Sequence, residues 1–342
     1  MEPLKRLDGI ESLIGSTPLL KIDLLWRGKP RSIFAKAEYL NLTGSIKDRM
    51  ALHILRKGLM NGTLKRGMTI AEATSGNTGV SFSALGRMIG CPVVIYMPDW
   101  MSIERINLMT AYGAEVRLVS REEGGFKGSI AFAEQMKIDD PDGVFLPRQF
   151  DNEDNSEAHF LCTGPEIVIQ LARQQRPVDA FVAGVGTGGT VMGCGNFLRK
   201  FFPHCKIHPL EPSNSPTLST GYKIGFHRIQ GISDEFIPAI LKLNELDSVV
   251  KIDDGDAILA AQALSRNLGL GVGISAGGNF LGALKLLNQM PEEQAQKATI
   301  VTVFVDDNKK YLSTDYSKIE ELKEGFLMPE IELLQVTSVG MK

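Results

Sequence analysis

Two apolar runs, each ending in a turn of small residues that opens a helix, constrain this chain more than any other feature. Thr69-Ile-Ala-Glu-Ala73 is a short strand pattern leading into Thr74-Ser-Gly-Asn-Thr-Gly79 and a helix from Val80 to Ile89, closed by Gly90. Asp179-Ala-Phe-Val-Ala183 leads likewise into Gly184-Val-Gly-Thr-Gly-Gly-Thr190 and a helix to about Phe201. The alternation continues around these units. Strand patterns at 92–97, 115–119, 206–211 (weakened by Pro209) and 299–305 interleave with helices over 102–112, 129–136, 165–174 and 257–267. Residues 272–275 read as a strand end, with a helix starting after Gly277-Gly278. Strand alternating with helix predicts an α/β fold of mostly parallel twisted sheets flanked by helices. The polar, turn-rich stretch 149–155 divides it into two lobes with a cleft between. Residues 1–150 form the first lobe, with about the first 40 free to pack on the other. Residues 151–315 form the second, and 316–342 a tail suited to docking on the body or on a partner.

Composition narrows the function classes. A formal charge of −3 gives no long-range attraction for nucleic acid or anionic membrane. Cys91, Cys162, Cys194 and Cys205 form no C-x-x-C pair, so metal-ligand spacing is absent and buried thiols in a reducing compartment are expected. The start of the chain has no apolar signal core, and no apolar run approaches a membrane span. A cytoplasmic protein is expected.

Three stretches carry the chemistry. Asn41-Leu-Thr-Gly-Ser-Ile-Lys-Asp-Arg-Met50 is a turn-rich loop running into a helix over 46–58, with Ser45 as candidate N-cap and Lys47 in the first turn. A cation there opposes the positive end of the helix dipole. Lys47 is therefore either a solvated lysine or one whose amine is bound to something. In Gly184–Thr190 four glycines let the backbone approach a ligand at a helix N-terminus, and Thr187 and Thr190 add hydroxyls; this suits a phosphate. The same segment fits G-x-G-x-x-G (Gly184, Gly186, Gly189) with Glu211 beyond it, so a dinucleotide remains open here. Thr74-Ser-Gly-Asn-Thr-Gly79 offers three hydroxyls and an amide where one cap would do, which suits a carboxylate, with Asn77 left for a second polar group.

Taken in order, S-I-K-D-R around Lys47, T-S-G-N-T-G, G-T-G-G-T and Gly273-Ile-Ser-Ala-Gly277 resemble the pyridoxal-phosphate enzymes of the cysteine synthase and cystathionine β-synthase family, of fold type II. Ile14–Leu19, Gln149–Asn152, Thr163–Ile167, Ile229–Ile232, Phe236–Pro238 and Tyr311–Thr314 match as well, so the resemblance spans about residues 10 to 315. It implies pyridoxal 5'-phosphate as cofactor. Lys47 would form the Schiff base and then act as base at the substrate Cα. Asn77 would bond the ring hydroxyl oxygen, and Gly186, Thr187, Gly188, Gly189 and Thr190 would hold the phosphate. Ser275 would meet the pyridine nitrogen. Thr74, Ser75, Gly76, Thr78 and Gln149 would bind the substrate carboxylate. The implied reaction is β-replacement through an α-aminoacrylate, with O-acetyl-L-serine and sulfide giving L-cysteine and acetate. A homodimer, and a serine acetyltransferase C-terminal peptide as partner, are implied by the resemblance alone.

The chain departs from the family pattern at Leu42, Ala276, the bulky segment Thr220–Arg228, and Asp234 in Gly-Ile-Ser-Asp-Glu-Phe. Asp234 is either an exposed acid or a cofactor-facing carboxylate. In the second case it activates water or another nucleophile, which moves the chemistry toward sulfide release from cysteine or toward a larger thiol. Asp306–Lys310 differs too. A nicotinamide oxidoreductase and a non-catalytic relative stay open beside the enzyme reading. The first explains neither Lys47 nor the 74–79 turn.

Overall fold

The β-strands of the computed structural model, which describes residues 2–233 and 235–339, fall into two sheets. They are β1 (Leu19–Trp26), β2 (Lys29–Ala37), β3 (Thr69–Ala73), β4 (Val93–Pro98), β5 (Glu115–Val119), β6 (Val144–Phe145), β7 (Ala180–Gly184), β8 (Lys206–Pro212), β9 (Val250–Ile252), β10 (Ile300–Phe304) and β11 (Ile331–Val339). The larger sheet has the order β11-β1-β2-β10-β7-β8-β9 and the smaller β5-β4-β3-β6. All pairings are parallel except those of β1, which runs antiparallel to β2 and β11. Strands such as β4, buried along its whole length, are the ones that read as continuous apolar runs, because helices cover both faces.

Two parts of the larger sheet carry little sequence signal. The β1–β2 hairpin turns at Arg27 and Gly28, both with positive φ (51° and 74°), the backbone that matches strand twist in a two-residue hairpin. Arg27 takes it without being Asn or Asp, and its guanidinium is held by Glu330 at 2.6 Å. The tail ends as β11, the edge strand on β1. Pro209 sits inside β8 because the carbonyl of Leu210 faces β7, which turns Pro209 to the other side, short of where β9 pairing begins.

Two local expectations need correction. Ser45 is not the N-cap: the helix Lys47–Asn61 follows Ile46, which has no side-chain cap, and Ser45 Oγ accepts from Lys47 N at 3.3 Å. Residues 272–275 are not a strand end. Val272 makes one bridge to Asp307, and the helix Ile274–Asn288 has already begun at Ser275. Of the two glycines that suggested a later start, Gly277 serves packing: a Cβ there would run into the carbonyl of Ala257 on the neighbouring helix Asp254–Leu268.

Behind Lys47 the helix is anchored by a buried charge network. The Arg49 guanidinium, 2% exposed, binds Glu38 at 2.6 Å and Glu166 at 2.7 Å. Lys36, fully buried, donates to Glu166, to Gln170 and to the Thr17 carbonyl. Burial disfavours the Glu38 carboxylate, yet Arg49, Lys36 and the Thr17 hydroxyl outweigh it and hold its pKa down at about 2. The network joins β2, the Lys47 helix and the helix Gly164–Ala172.

Candidate active site

The two turns that dominate the sequence open onto one cleft. Lys47, Thr74, Ser75, Asn77, Thr78, Gln149, Gly186, Thr187, Gly188, Thr190 and Ser275 all line it. Gly76 and Gly189 form the backs of their loops: a Cβ on Gly76 would strike the Arg105 side chain, and one on Gly189 the amide of Asn155. Asp234 lies outside the described residues. A wider cavity shares Ser75, Gln230, Gly231 and Ile232 with the cleft and is walled in part by Trp100, Phe226, His227 and Arg228. The bulky segment at 220–228 therefore borders the outer chamber.

Each loop is fixed from behind. Thr78 Oγ1 donates to Gln149 Oε1 at 2.6 Å, and Gln149 Nε2 donates to the Ala73 carbonyl at 2.8 Å, so the 74–78 turn and Gln149 form one unit. Asn155 Nδ2 reaches both the Gln149 carbonyl (2.8 Å) and Thr187 Oγ1 (2.9 Å), joining that unit to the second turn. In that turn Gly188 has φ +88°, a left-handed backbone that a side chain would strain, directly before the helix Gly189–Phe201. His159 stands behind Thr190: its Nε2 lies 3.3 Å from Thr190 Oγ1 and its Nδ1 2.9 Å from Thr163 Oγ1. Burial, reinforced by Arg49, pushes the His159 pKa down to about 3, so the ring is neutral at working pH. Asn155 and His159 carry no sequence signal, since both act through space on loops far along the chain.

Arg105, Gln230, Asp306 and Tyr311 were also not among the expected site residues. Arg105, 2% exposed, lies 3.8 Å from Asp306, donates to Gln230 Oε1 and Ser102 Oγ, and stacks 4.5 Å above the Tyr311 ring. Tyr311 Oη and Asn77 Nδ2 each donate to Asp306 Oδ2 at 2.7 Å. The Asp306–Lys310 segment thus has a physical role: Asp306 serves the cleft, while the buried Lys310 bonds Asp307 and the Gly44 carbonyl at 2.9 Å, bracing the Lys47 loop.

The residue set fits pyridoxal phosphate. Backbone N–H groups and hydroxyls meet at a helix N-terminus for the phosphate. Asn77 lines the same cleft and keeps one amide N–H beyond its bond to Asp306, and a hydroxyl, Ser275, lines it too. The dinucleotide alternative loses its acid: Glu211 is fully buried and accepts from Leu218 N at 2.7 Å and from Ser219, a structural cap away from the cleft.

Behind the carboxylate loop, burial pushes the pKa of Glu72 up to about 8, despite N–H donors at Ala73 and Gln149. A folded-state pKa above the ordinary 4.5 means stability that is complete below about pH 4.5 and falls as pH rises toward 8. Glu72→Gln should remove that slope and gain on the order of 2–4 kcal/mol at pH 8 relative to the parent, with little change at pH 4.5. Denaturation at the two pH values checks this; parallel curves would contradict it.

These features bring a lysine, a turn rich in hydroxyls and a glycine-rich helix N-terminus onto one cleft. The chain belongs to the pyridoxal-phosphate dependent enzyme family, whose model matches residues 10–306. Within it, the relatives are of the cysteine synthase type. Cysteine synthase of Staphylococcus aureus is 39% identical over 310 residues, 91% of this chain and 97% of its own. A hydrogen sulfide-producing enzyme of Fusobacterium nucleatum is 54% identical over 98% of this chain and 99% of its own, with a TM-score of 0.93. An aspartate-to-asparagine mutant of that enzyme, complexed with an α-aminoacrylate intermediate, is 53% identical over 97% of this chain and 99% of its own, with a TM-score of 0.94.

Proposed function

We propose that this enzyme exchanges groups at Cβ of a serine-type amino acid, with sulfide as one of the two groups exchanged: O-acetyl-L-serine and sulfide give L-cysteine and acetate. The observation that carries the reading is the convergence of Lys47, the 74–78 turn, the 186–190 turn and Ser275 on one cleft. Pyridoxal phosphate, when bound, supplies an electron sink that makes the substrate Cα–H acidic and lets the β group leave.

The residues divide the remaining work. Lys47 would hold the cofactor aldehyde through Nζ, and the same amine would take the substrate Cα proton. The N–H groups of 186–190 and the hydroxyls of Thr187 and Thr190 hold the phosphate, with Asn155 and His159 fixing those two hydroxyls. Ser275 would meet the pyridine nitrogen with a hydroxyl in place of a carboxylate. That keeps the ring a moderate sink, suited to departure of a β group and unsuited to the longer-lived carbanion of transamination. Thr74, Ser75, Gly76, Thr78 and Gln149 take the substrate carboxylate. Closure of the lobe that carries the smaller sheet onto the one that carries the larger sheet would exclude water from the reacting carbon.

A second reading is favoured by the 54% identical sulfide-producing neighbour and by Asp234. In it a water, deprotonated by the Asp234 carboxylate, is the incoming group, and L-cysteine plus water gives L-serine plus hydrogen sulfide. Both readings share every residue assigned above; they differ in the direction in which sulfide moves and in the group it exchanges with, acetate in the first and water in the second. A homodimer is part of the proposal, supported by Leu161, Ile169 and Phe201, large apolar residues more than half exposed. So is a cytoplasmic setting, and a serine acetyltransferase C-terminal peptide whose carboxylate would compete for the 74–78 turn.

The test is a product assay on enzyme loaded with pyridoxal phosphate. Cysteine formed from O-acetyl-L-serine and sulfide is the expected result. Sulfide and serine formed from L-cysteine, lost in Asp234→Asn, would establish the second reading. Neither product, under any donor, would overturn both.

A further inference from the structure

Among the described residues, the buried oxygens Asn77 Oδ1 and Asp306 Oδ1 have no hydrogen-bond partner, and the two side chains are joined to each other. The bond between them fixes an orientation. A carboxylate only accepts, so the Asn77 amide must turn its nitrogen to Asp306. One N–H of Nδ2 goes to Asp306 Oδ2 at 2.7 Å, which leaves the second N–H for a ligand in the cleft that Asn77 lines. Asp306 is itself held. It is fully buried, its Oδ2 also accepts from Tyr311 Oη at 2.7 Å, and the Arg105 guanidinium lies 3.8 Å away. Its backbone is pinned as well, by a bridge to Ser45 next to the Lys47 loop and by the bond from Gly273 N to its carbonyl at 2.9 Å. A serine or glycine at this position would give the amide no such fixed acceptor.

We propose that Asp306 is a positioning residue that sets which face of the Asn77 amide meets the cofactor: it holds the nitrogen, and not the carbonyl, toward the ring hydroxyl oxygen. The proposal rests on Asn77 meeting that oxygen, as assigned above. Its consequence is electronic. The ring oxygen and the nitrogen bound to Lys47 share one proton. An N–H donor at the oxygen stabilises it as the anion and keeps the proton on nitrogen, the form that absorbs near ~410 nm. With Asp306 removed, the amide can turn its carbonyl to the ring. The proton then moves to the ring oxygen and the long-wavelength band gives way to a shorter one.

The experiment is the absorbance spectrum of the pyridoxal-phosphate-loaded enzyme at pH 7 for the parent, Asn77→Ala, Asp306→Ser and the double variant, with melting temperatures alongside. Asp306→Ser is expected to lower the ratio of long- to short-wavelength absorbance by roughly fivefold, the size of one net hydrogen bond. Asn77→Ala is expected to lower it similarly, and Asp306→Ser to add nothing in the Asn77→Ala background. A lowered melting temperature with the parent's band ratio would overturn the proposal, because Asp306 would then only tie Arg105 and Tyr311 together. So would an Asp306→Ser shift that persists undiminished in the double variant. An unchanged ratio in Asn77→Ala alone would remove the Asn77 assignment and the proposal with it, while leaving the overall reaction untouched. If Asp306→Ser does not fold, Tyr311→Phe removes one bond that fixes the carboxylate. It should shift the ratio about twofold in the same direction, and no shift would overturn the proposal.

Discussion

Lys47→Ala should lower turnover by about a thousandfold or more, and the loaded protein should lose its visible band near ~410 nm while still binding the cofactor phosphate. The size follows from two roles ending together: the covalent hold on the aldehyde and proton removal at the substrate Cα. The helix itself should survive, because its anchorage lies two residues further on, in Arg49. A variant that keeps both the band and the rate would mean that another amine carries the cofactor. Lys47→Arg separates charge from chemistry: it keeps a cation at the same place, and should be as inactive as alanine, since a guanidinium does not release its proton.

The largest effect on stability is expected at Arg49. Arg49→Met leaves Glu38, fully buried, and Glu166 facing each other with only Lys36 between them, and should cost about 3–5 kcal/mol. The pH profile gives the sign. Glu38 is held at about 2, below its ordinary 4.5, so its contribution is present above about pH 4.5 and lost as pH falls toward 2. Without Arg49 that loss should begin at higher pH. Chemical denaturation at pH 7, repeated at pH 5, checks both parts. A loss below 1 kcal/mol would show that Lys36 alone balances the pair. Because Glu38, Glu166 and Lys36 lie on three separate elements behind the Lys47 helix, the same variant should also weaken cofactor binding.

What the sequence shows of this protein follows from how locally each feature is encoded. The 74–79 and 184–190 turns are legible because strand end, turn and helix start are contiguous, and because their glycines and hydroxyls exceed what a plain turn needs. The α/β class is legible for the same reason, and β3 and β5 have the bounds that their apolar patterns suggest. The β1–β2 hairpin is not, because Arg27-Gly28 lacks the usual turn residues and its geometry is secured by Glu330, some 300 positions away. The tail strand β11 alternates apolar and polar residues only weakly, having one edge in solvent. Asn155, His159, Arg105 and Asp306 are hidden for another reason. Each supports a loop from behind, through contacts with sequence separations of up to 229 residues, as between Asn77 and Asp306. Gly277 misleads because close helix packing and a helix break call for the same residue.

The most direct measurement is to reduce the loaded enzyme with borohydride, digest it and locate the cofactor by mass spectrometry. The account predicts the phosphopyridoxyl mass on the peptide containing Lys47 and on no other lysine. A label on any other lysine, or none on a fully loaded sample, would contradict it.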